Sequence, residues 1–486
     1  MILNEKSVHP ILHFDAQHSW DALLTLVKPE LDVRGLKRLK DVLKPQAKGV
    51  VIERHYIDKD YRDTFSHFHS KRFNTPHSRC VRLHFFSIPV QEDAIASGEE
   101  AMAGAYLGYS VIRPTKPNCI GRTLLVHTLR VDNSAHLAVC REQVHLLGTR
   151  LHVEGFPFIS QDADATVCAE SALWMLLRYY SNRYSWYSEA LPFQITNLAS
   201  SHAVGRRVYP SGGLFSWQLA EALRLQRFSP LVYSRAQFPD NFEHLLYTYI
   251  ESGLPLLVTV PGHVITAFGH DSDYHLPPSG GAAYSSEFNR AFIVNDDNCF
   301  PYQALRHGGP QTGKDSRYGF GDIMEFIVPL PEKVFLAAEQ AQTAIEAVLN
   351  GVETGILKHS PRLSSSAHVR RLFLTSSRSF KRHLTGRGMG NSTVARIYRH
   401  LPMPHFIWVC ELAEVAEYQN ERKILGEVLW DATRNTHEPD GWTALHYPER
   451  LLVDAGSAFN RAQDLLKVDL TGSTSYSLFK SNLHTL

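Results

Sequence analysis

The chain reads Leu-Leu-Val-Thr-Val-Pro-Gly-His-Val-Ile-Thr-Ala-Phe from residue 256 to residue 268. Two apolar runs flank a Pro-Gly pair, and this pattern predicts two strands joined by a tight turn. A third strand is predicted over 291–294, and it runs into the polar segment Asn-Asp-Asp at 295–297. If these strands pair antiparallel, His263 at the start of one strand lies beside a carboxylate at the end of another.

An apolar stretch upstream predicts a helix that begins at a cysteine. From Cys168 to Tyr180 the apolar residues recur at three- and four-residue spacing, just after a polar run that starts at Gln161. A thiol at a helix N-terminus lies at the positive end of the helix dipole, which favours the nucleophilic thiolate. Thr166 is placed to cap this helix. Cys168 is therefore a candidate nucleophile.

Two histidines of the predicted second strand compete for the role of general base. His263 directly follows the Pro-Gly turn, whereas His270 falls where a polar loop begins. We favour His263, because His270 falls at the entrance of that polar loop.

The third member of a nucleophile–base–acid set is predicted at the end of the 291–294 strand. Strand alternation favours Asp296 as the residue that orients the base, and Asn295 or Asp297 would serve instead if the strand bulges. Gln161, upstream of the cysteine, is a candidate donor to the oxyanion of a tetrahedral intermediate.

These motifs together resemble the papain-like cysteine peptidases. The resemblance rests on Gln-x-x-Asp at 161–164, the helix-starting Cys168, Gly-Leu-Pro-Leu-Leu-Val-Thr-Val at 253–260, His-Val-Ile-Thr-Ala-Phe-Gly-His-Asp at 263–271 and Phe-Ile-Val-Asn-Asp at 292–296. It is closest to the bacterial double-glycine leader peptidases that process bacteriocins, and it covers about residues 155–300.

The resemblance implies a fold, a site and an activity. The fold is α+β, with a papain-like core in which the helix carrying Cys168 packs on an antiparallel sheet carrying His263 and Asp296. The site is a Cys-His-Asp triad with Gln161 as the oxyanion donor. The chain departs from the family pattern in having Ala169 after the cysteine and one extra position between the glutamine and the cysteine.

The predicted function is that of a cysteine peptidase, a thiol hydrolase that cleaves a peptide or isopeptide bond through an acyl-enzyme. One alternative is a transamidase or acyltransferase that uses the same triad, and another is a non-catalytic interaction or scaffold protein with a papain fold. The expected partner is a protein or peptide substrate. No cofactor and no metal are expected, and the oligomeric state is left open.

The patterns divide the chain into three regions: an N-terminal α/β region over 1–150, the catalytic domain over 151–330, and a C-terminal α/β region over 331–486. Residues 271–289 and 298–320 are predicted to be irregular. The remaining predicted elements are helices over 36–43, 214–225 (with Leu219, Leu223 and Trp217 facing inward) and 331–350, and strands over 81–86, 105–112, 123–129, 406–410 and 424–430.

Composition limits the possible partners. The formal net charge is +1, so no global attraction to nucleic acid or to an acidic membrane is expected. No run of about 18 apolar residues is present. The first residues do not resemble a signal peptide, so a cytoplasmic protein is expected. The family resemblance implies a bacterial protein. The six cysteines are scattered without close pairs, which is untypical of a disulfide framework.

Three further patterns are weaker. The segment Gly308–Asp315 nearly matches a phosphate-binding loop, but it has an internal proline and an aspartate at the magnesium-binding position. A group of histidines at 67, 69 and 77 with Cys80 is expected to be a surface cluster. The basic stretch over 370–382, interleaved with Phe373 and Phe380, is expected to be a solvated face.

Overall fold

The architecture is mixed α+β and is built on three large sheets, as given by a computed structural model. The structure describes residues 9–14, 19–27, 33–115, 119–129, 134–162, 168–200, 214–275, 282–350, 360, 362–363, 367–389, 392–434, 441–454, 465–470, 475–480 and 482–485. In the described part of the chain, no helix is long and apolar enough to cross a membrane.

The first sheet contains five antiparallel strands in sequential order. Its strands are β1 (Ile11–His13), β2 (Gly49–Tyr56), β3 (Cys80–Phe86), β4 (Tyr106–Ile112) and β5 (Ile120–Leu125). The helices of this region are α1 (Ser19–Val27), α2 (Val33–Leu43), α3 (Lys59–His67), α4 (Glu92–Ala96) and α5 (Glu100–Gly104). The predictions of a helix over 36–43 and of strands over 81–86 and 105–112 are confirmed. The strand predicted over 123–129 is wrong in part, because β5 ends at Leu125 and a 3₁₀ turn follows.

The second, central sheet has the order β14-β13-β11-β10-β15-β9, and β6 and β24 pair at its side. Its strands are β6 (Ala135–Leu137), β9 (Phe228–Ser234), β10 (Leu256–Val260), β11 (His263–Ser272), β13 (Asn289–Asn295), β14 (Gln303–Arg306), β15 (Glu325–Pro331) and β24 (His484–Thr485). Its helices are α6 (Cys168–Arg183), α7 (Pro192–Ser200), α8 (Ser216–Leu225) and α9 (Phe242–Glu251). A separate hairpin joins β7 (Cys140–Leu146) to β8 (Thr149–Gly155).

The hairpin β10–β11 forms as the sequence predicts. Val260 pairs with His263, and the turn between them needs Gly262, whose φ of 68° lies in the left-handed region that glycine adopts without strain. β11 is buried along its whole length because strands flank it on both sides and helix α6 packs on it. Phe156 stacks on Phe268 at a ring-centroid distance of 4.0 Å. The start of β11 is therefore held rigidly.

Helix α6 is buried on nearly all sides. On one side Thr266 of β11 donates a hydrogen bond to the Ala172 carbonyl over 3.2 Å. On another side Asp60 of α3 accepts hydrogen bonds from Trp174 Nε1 at 3.1 Å and from Arg178 Nη2 at 2.8 Å. Because a buried carboxylate is costly unless it is paired, these bonds stabilise the contact between the N-terminal helices and α6.

The third sheet follows the order β12-β16-β17-β19-β20-β21-β22, and only its β12–β16 pair is parallel. Its strands are β12 (Ala282–Tyr284), β16 (His368–Ser376), β17 (Phe406–Glu414), β19 (Gly426–Asp431), β20 (Trp442–Tyr447), β21 (Arg450–Asp454) and β22 (Leu465–Asp469). A short pair joins β18 (Lys423–Ile424) to β23 (Tyr476–Ser477). The helices are α10 (Ala338–Asn350), α11 (Ser377–Arg382), α12 (Thr393–His400) and α13 (Val415–Glu421). The strand predicted over 406–410 is present and continues to Glu414 as β17. The strand predicted over 424–430 is wrong in part, because Ile424 belongs to β18 and a separate strand, β19, begins at Gly426.

A buried ion network joins the central sheet to the third sheet. The Arg371 guanidinium on β16 donates to Glu251 Oε1 at 2.7 Å, to Glu411 Oε2 at 2.5 Å and to the Phe479 carbonyl at 2.8 Å. Glu251 also lies 2.5 Å, through Oε2, from Nε2 of His270 on β11. The Arg371 guanidinium therefore bridges a carboxylate of α9 and a carboxylate of β17.

Several predictions about irregular segments and helix bounds are wrong. β15 continues to Pro331, so the helix predicted over 331–350 begins only at Ala338. The segments 271–289 and 298–320 contain β12 and β14, whose pairing depends on partner strands that are distant in sequence or that the local pattern does not show. Trp217, predicted to face inward, is 53% exposed, whereas Leu219 and Leu223 are buried. The proposed cap Thr166 lies outside the described residues.

Candidate active site

Three elements converge on one site. Cys168 is the first residue of α6, His263 is the first residue of β11, and Asp296 directly follows β13. β13 runs antiparallel to β11, and Thr266 pairs with Asn295. The C-terminal end of β13 therefore lies beside the beginning of β11, which brings the acid to the histidine.

Asp296 makes the shortest contact with the histidine ring. His263 Nε2 lies 2.8 Å from Asp296 Oδ1, and the same carboxylate oxygen accepts the Asn298 backbone N–H at 2.9 Å. Arg317 Nε lies 3.4 Å from the other oxygen. Burial alone would raise the pKa of the Asp296 carboxyl, but the hydrogen bond from His263 and the nearby positive charges hold that pKa below its usual value. Asp296 is therefore an ionised, fixed partner of the ring.

The two alternatives to Asp296 have different surroundings. Asp297 Oδ1 also approaches His263 Nε2, at 3.2 Å, but burial raises the pKa of this carboxyl and its contact with the histidine offsets that only in part. Asn295 contacts the interior instead: its Nδ2 donates to the Pro157 carbonyl at 3.2 Å and its Oδ1 accepts the Tyr302 N–H at 2.9 Å. Of the three, Asp296 has the geometry of an orienting acid.

Cys168 is a further partner of the imidazole. Its side chain is partly exposed and is hydrogen-bonded to the His263 imidazole. Burial lowers the pKa of His263, but the hydrogen bonds to Asp296, Asp297 and Cys168 outweigh it and raise that pKa to about 12. The ring is therefore held in its charged form. Because Nε2 faces the acids, Nδ1 is the ring atom available to exchange a proton with the thiol.

Cys299 offers an internal comparison, since it is a second half-buried thiol next to the same acid. Its Sγ lies 3.7 Å from Asp296 Oδ2, and burial together with that negative charge raises the thiol pKa to about 11. Cys299 contacts the carboxylate, whereas Cys168 contacts the imidazole. All six cysteines of the chain are free.

The predicted oxyanion donor reaches the site by an indirect route. Gln161 Nε2 donates to Asn298 Oδ1 at 2.5 Å, and Asn298 Nδ2 lies 3.5 Å from His263 Nε2. One amide N–H of Gln161 is thus engaged with Asn298. Residues 163–167, which connect Gln161 to the cysteine, lie outside the described part of the chain. The oxyanion role stays a prediction.

Sequence reasoning missed two other neighbours of the histidine. Asn298 belongs to the Asn-Asp-Asp-Asn run that was interpreted only as a source of the acid. The Tyr318 ring lies 6.2 Å from the His263 ring at an angle of 26°, and the Arg317 guanidinium lies over Tyr318 at 4.7 Å. No local pattern points to Tyr318, because it comes from the irregular segment after β14.

His270, the competing base, lies at the other end of the site's strand. Seven residues of strand separate it from His263, roughly 23 Å at 3.3 Å per residue. It is buried rather than at a loop entrance, with Nδ1 2.9 Å from Ser272 Oγ and Nε2 in the Glu251 ion network. The reason given for rejecting His270 was therefore wrong, although its place is far from the cysteine.

His263, Asp296 and Asp297 also have the composition of a metal site. Their ligand atoms lie within 4.8 Å of one another, and no other group of this kind occurs among the residues that the structure describes. Both carboxylates, however, approach the same nitrogen, Nε2. A metal ion would have to replace the proton that these hydrogen bonds share, so the contacts favour proton exchange at this cluster.

The remaining sequence patterns have structural roles. Asp315, in the segment that nearly matches a phosphate-binding loop, accepts the N–H groups of Gln311 and Thr312 and an Arg306 Nε–H, so it stabilises its own loop. His69 was expected at the surface but is buried, with Nε2 3.7 Å from Asp162 Oδ2.

Comparisons of the chain with protein-family models, with curated proteins and with solved structures find no significant match.

Proposed function

We propose that the protein is a cysteine peptidase with Cys168 as nucleophile, His263 as base and Asp296 as orienting acid. The observation that carries this proposal is that His263 interacts with both the Cys168 thiol and the buried Asp296 carboxylate, with Nε2 2.8 Å from Oδ1. A nucleophile, a base and a residue that orients the base are the three parts needed for covalent acyl transfer.

The elements that carry these residues support a papain-like core as part of the proposal. A buried helix bears the cysteine at its first residue and packs on an antiparallel sheet that bears the histidine and the acid. The family assignment, with the leader peptidases as its nearest branch, is proposed on that arrangement and on the motifs of the sequence.

In the proposed mechanism, the Cys168 thiolate attacks the carbonyl carbon of the scissile bond and forms a tetrahedral oxyanion. The Cys168 backbone N–H and Gln161 donate to the oxyanion. His263 gives its proton to the leaving amine as the C–N bond breaks, which leaves a thioester. His263 then takes a proton from water, and the hydroxide attacks the thioester to release the acid and regenerate the thiol. If an amine replaces water, the same residues carry out transamidation or acyl transfer.

The reactivity of Cys168 can be tested without a known substrate. Iodoacetamide reacts with thiolates, so the folded protein is exposed briefly at about pH 6 and alkylation of each cysteine is then measured by peptide mass spectrometry. We expect Cys168 to be alkylated at least ~10-fold faster than Cys299, since the former contacts an imidazolium and the latter a carboxylate. Equal rates for these two half-buried thiols would contradict an activated nucleophile.

Hydrolysis itself is tested by mapping new N-termini in a bacterial proteome incubated with the protein. The matched variants are Cys168→Ala, which removes the nucleophile, and Cys299→Ala, which removes the neighbouring thiol. We expect termini that appear with the wild type and with Cys299→Ala but not with Cys168→Ala. A parallel incubation with a labelled amine separates acyl transfer, which attaches the amine, from hydrolysis. Activated Cys168 without cleavage or transfer would leave a scaffold that has kept the site.

A further inference from the structure

A second cleft lies at the opposite end of the helix that carries Cys168. It has a volume of about 460 Å³ and opens between the C-terminal end of α6 and the β16–α11 junction. Its lining includes side chains of Arg183, Tyr184, Trp186, Arg378, Arg382 and His405. The volume is within the range of small-molecule sites in proteins.

The cleft is separate from the candidate active site. α6 runs from Cys168 to Arg183, and the fifteen rises of 1.5 Å between these two residues place the ends of the helix roughly 22 Å apart. A molecule in this cleft therefore does not contact the reacting thiol, so the inference below does not rest on the proposed function.

One wall of the cleft is aromatic. Trp186 is 56% exposed, and its ring stacks on Tyr184 with centroids 5.5 Å apart and an angle of 23° between the planes. Tyr187 behind them is anchored on Phe228 at 4.4 Å. An indole held in a fixed orientation by its neighbours and open on one side presents a flat face on which another planar ring can stack.

The other wall is basic. Arg183, Arg378 and Arg382 are all exposed, and none of them forms an ion pair with a carboxylate that the structure describes. The lining residues, each within the described part of the chain, include no aspartate or glutamate. Glu332, whose charge acts on Tyr187, is outside the lining. The cleft therefore carries positive charge that no described side chain within it balances.

Two other arginines of the same basic stretch are paired with carboxylates, unlike those of the cleft. Arg371 is buried and is neutralised by Glu251 and Glu411, and Arg370 lies 3.9 Å from Glu346. Phe373 and Phe380, which alternate with these arginines in the sequence, are core residues. The stretch is thus not one solvated face: its first part is internal, and the exposed remainder faces the cleft.

We propose that this cleft binds a nucleoside phosphate, with the base stacked on Trp186 and the phosphate contacted by Arg183, Arg378 and Arg382. A nucleoside phosphate has a planar ring that fits the aromatic wall and an anionic group that fits the basic wall. Guanidinium groups bind phosphate through paired hydrogen bonds, and aromatic side chains stack on every base. The near-zero net charge argued against general binding of nucleic acid, but it does not weigh against one locally basic cleft.

Binding is measured by fluorescence anisotropy of an N-methylanthraniloyl-labelled ATP, with unlabelled competitors. We expect ATP to compete at least ~10-fold better than adenosine and at least ~10-fold better than tripolyphosphate, since each of these lacks one half of the match. We expect added salt to weaken binding, because the phosphate contacts are charged. No binding at about 1 mM ATP, or equal competition by tripolyphosphate, would overturn the proposal.

Matched variants locate the site. Trp186→Leu is expected to weaken binding by about 10-fold or more through the lost stacking, and the double change Arg378→Ser with Arg382→Ser to weaken it at least as much. The controls are Trp217→Leu, a similarly exposed tryptophan at 53%, and the exposed pair Arg79→Ser with Arg150→Ser. Binding that the cleft variants and the controls change equally would refute this location.

The stacked base and the phosphate could both belong to a free nucleotide or to one nucleotide unit of an RNA strand. A labelled hexanucleotide is titrated beside the mononucleotide, on the wild type and on Trp186→Leu. Tighter, Trp186-dependent binding of the hexanucleotide assigns the site to RNA, and equal or weaker binding assigns it to a free nucleotide. Cys168→Ser is expected to bind the nucleotide as the wild type does, so loss of the thiol chemistry would not affect this result.

Discussion

Replacement of Asp296 by asparagine tests the arrangement of the candidate site most directly. The change keeps the shape of the side chain and removes the charge that faces His263 Nε2 at 2.8 Å. A hydrogen bond to a charged group contributes about 1.5–3 kcal/mol, and one pKa unit corresponds to about 1.4 kcal/mol. The pKa of the imidazolium is therefore expected to fall by about 1–2 units.

The pKa of His263 decides the pH at which the variant and the wild type are compared. From a pKa of about 12, a fall of this size leaves His263 protonated at about pH 6, so alkylation at that pH reports how well the imidazolium is oriented towards the Cys168 thiol. The lost hydrogen bond contributes about 1.5–3 kcal/mol, so at about pH 6 we expect iodoacetamide to alkylate Cys168 roughly 10- to 100-fold more slowly in Asp296→Asn than in the wild type. Above about pH 9, where a free thiol ionises unaided, the two rates are expected to converge.

Asp297→Asn is the matched control, because it removes the neighbouring carboxyl, which also approaches Nε2, at 3.2 Å. Burial raises the pKa of Asp297 and so favours its neutral form. Its replacement by a neutral amide is therefore expected to change the alkylation rate of Cys168 by less than about 5-fold. A large loss in Asp297→Asn with little change in Asp296→Asn would refute the assignment of the orienting acid. Equal losses would indicate that the two carboxyls act as one unit.

Three further predictions concern the oxyanion donor and the stability of the fold. Gln161→Ala is expected to lower peptide turnover roughly 100-fold. Iodoacetamide alkylation of Cys168 is expected to stay within about 3-fold of the wild type, since alkylation forms no oxyanion. Parallel loss of both rates would instead assign Gln161 a positioning role through Asn298. Arg371→Met removes the guanidinium that two buried carboxylates, Glu251 and Glu411, share. It is expected to lower the free energy of unfolding by about 3–5 kcal/mol in urea denaturation, an expectation that fails if the midpoint is unchanged. Gly269→Ala places a Cβ 2.4 Å from Leu137 Cδ2 and 2.6 Å from the His136 carbonyl oxygen, so we expect a clearly lower melting temperature, whereas Gly308→Ala meets nothing within 4 Å and should melt like the wild type.

Local patterns were sufficient for the parts of the site that depend on adjacent residues. The Pro-Gly pair between two apolar runs specifies the β10–β11 hairpin, because a turn and two strands are encoded within a dozen residues. The same is true of the helix that begins at Cys168. Strand alternation then ranked Asp296 above its neighbours, and the contact between Asp296 and His263 agrees with that ranking.

The sequence pattern did not predict the features that depend on residues far away in the sequence. β14 and β12 are each only a few residues long, and they are strands only because β13 and β16 pair with them. Trp217 occupies an apolar position of a helical pattern, but its side chain is exposed because no element among the described residues covers that face. A helical pattern shows which residues share a face, whereas neighbouring elements decide which face is covered.

Charged residues gave the least reliable expectations. Arg370 and Arg371 were interpreted as part of a solvated face, but they are buried where acids from α9, α10 and β17 approach. His270 was expected at a loop entrance but joins the same network. Burial of a charge depends on whether the fold supplies a counter-charge, and those counter-charges lie far away in the sequence.

The place of β24 in the central sheet bears on how the protein is made. β6 pairs with β11 on one side and with β24 on the other, so one edge of residues 135–137 is unpaired until residues 484–485 have been synthesised. During synthesis the ribosome releases Cys168, His263 and Asp296 long before that last strand emerges. Pairings between such distant residues form slowly, since a large loop must close first. The central sheet of a nascent chain therefore keeps an open edge along β6, and completion of that edge is a late event in folding.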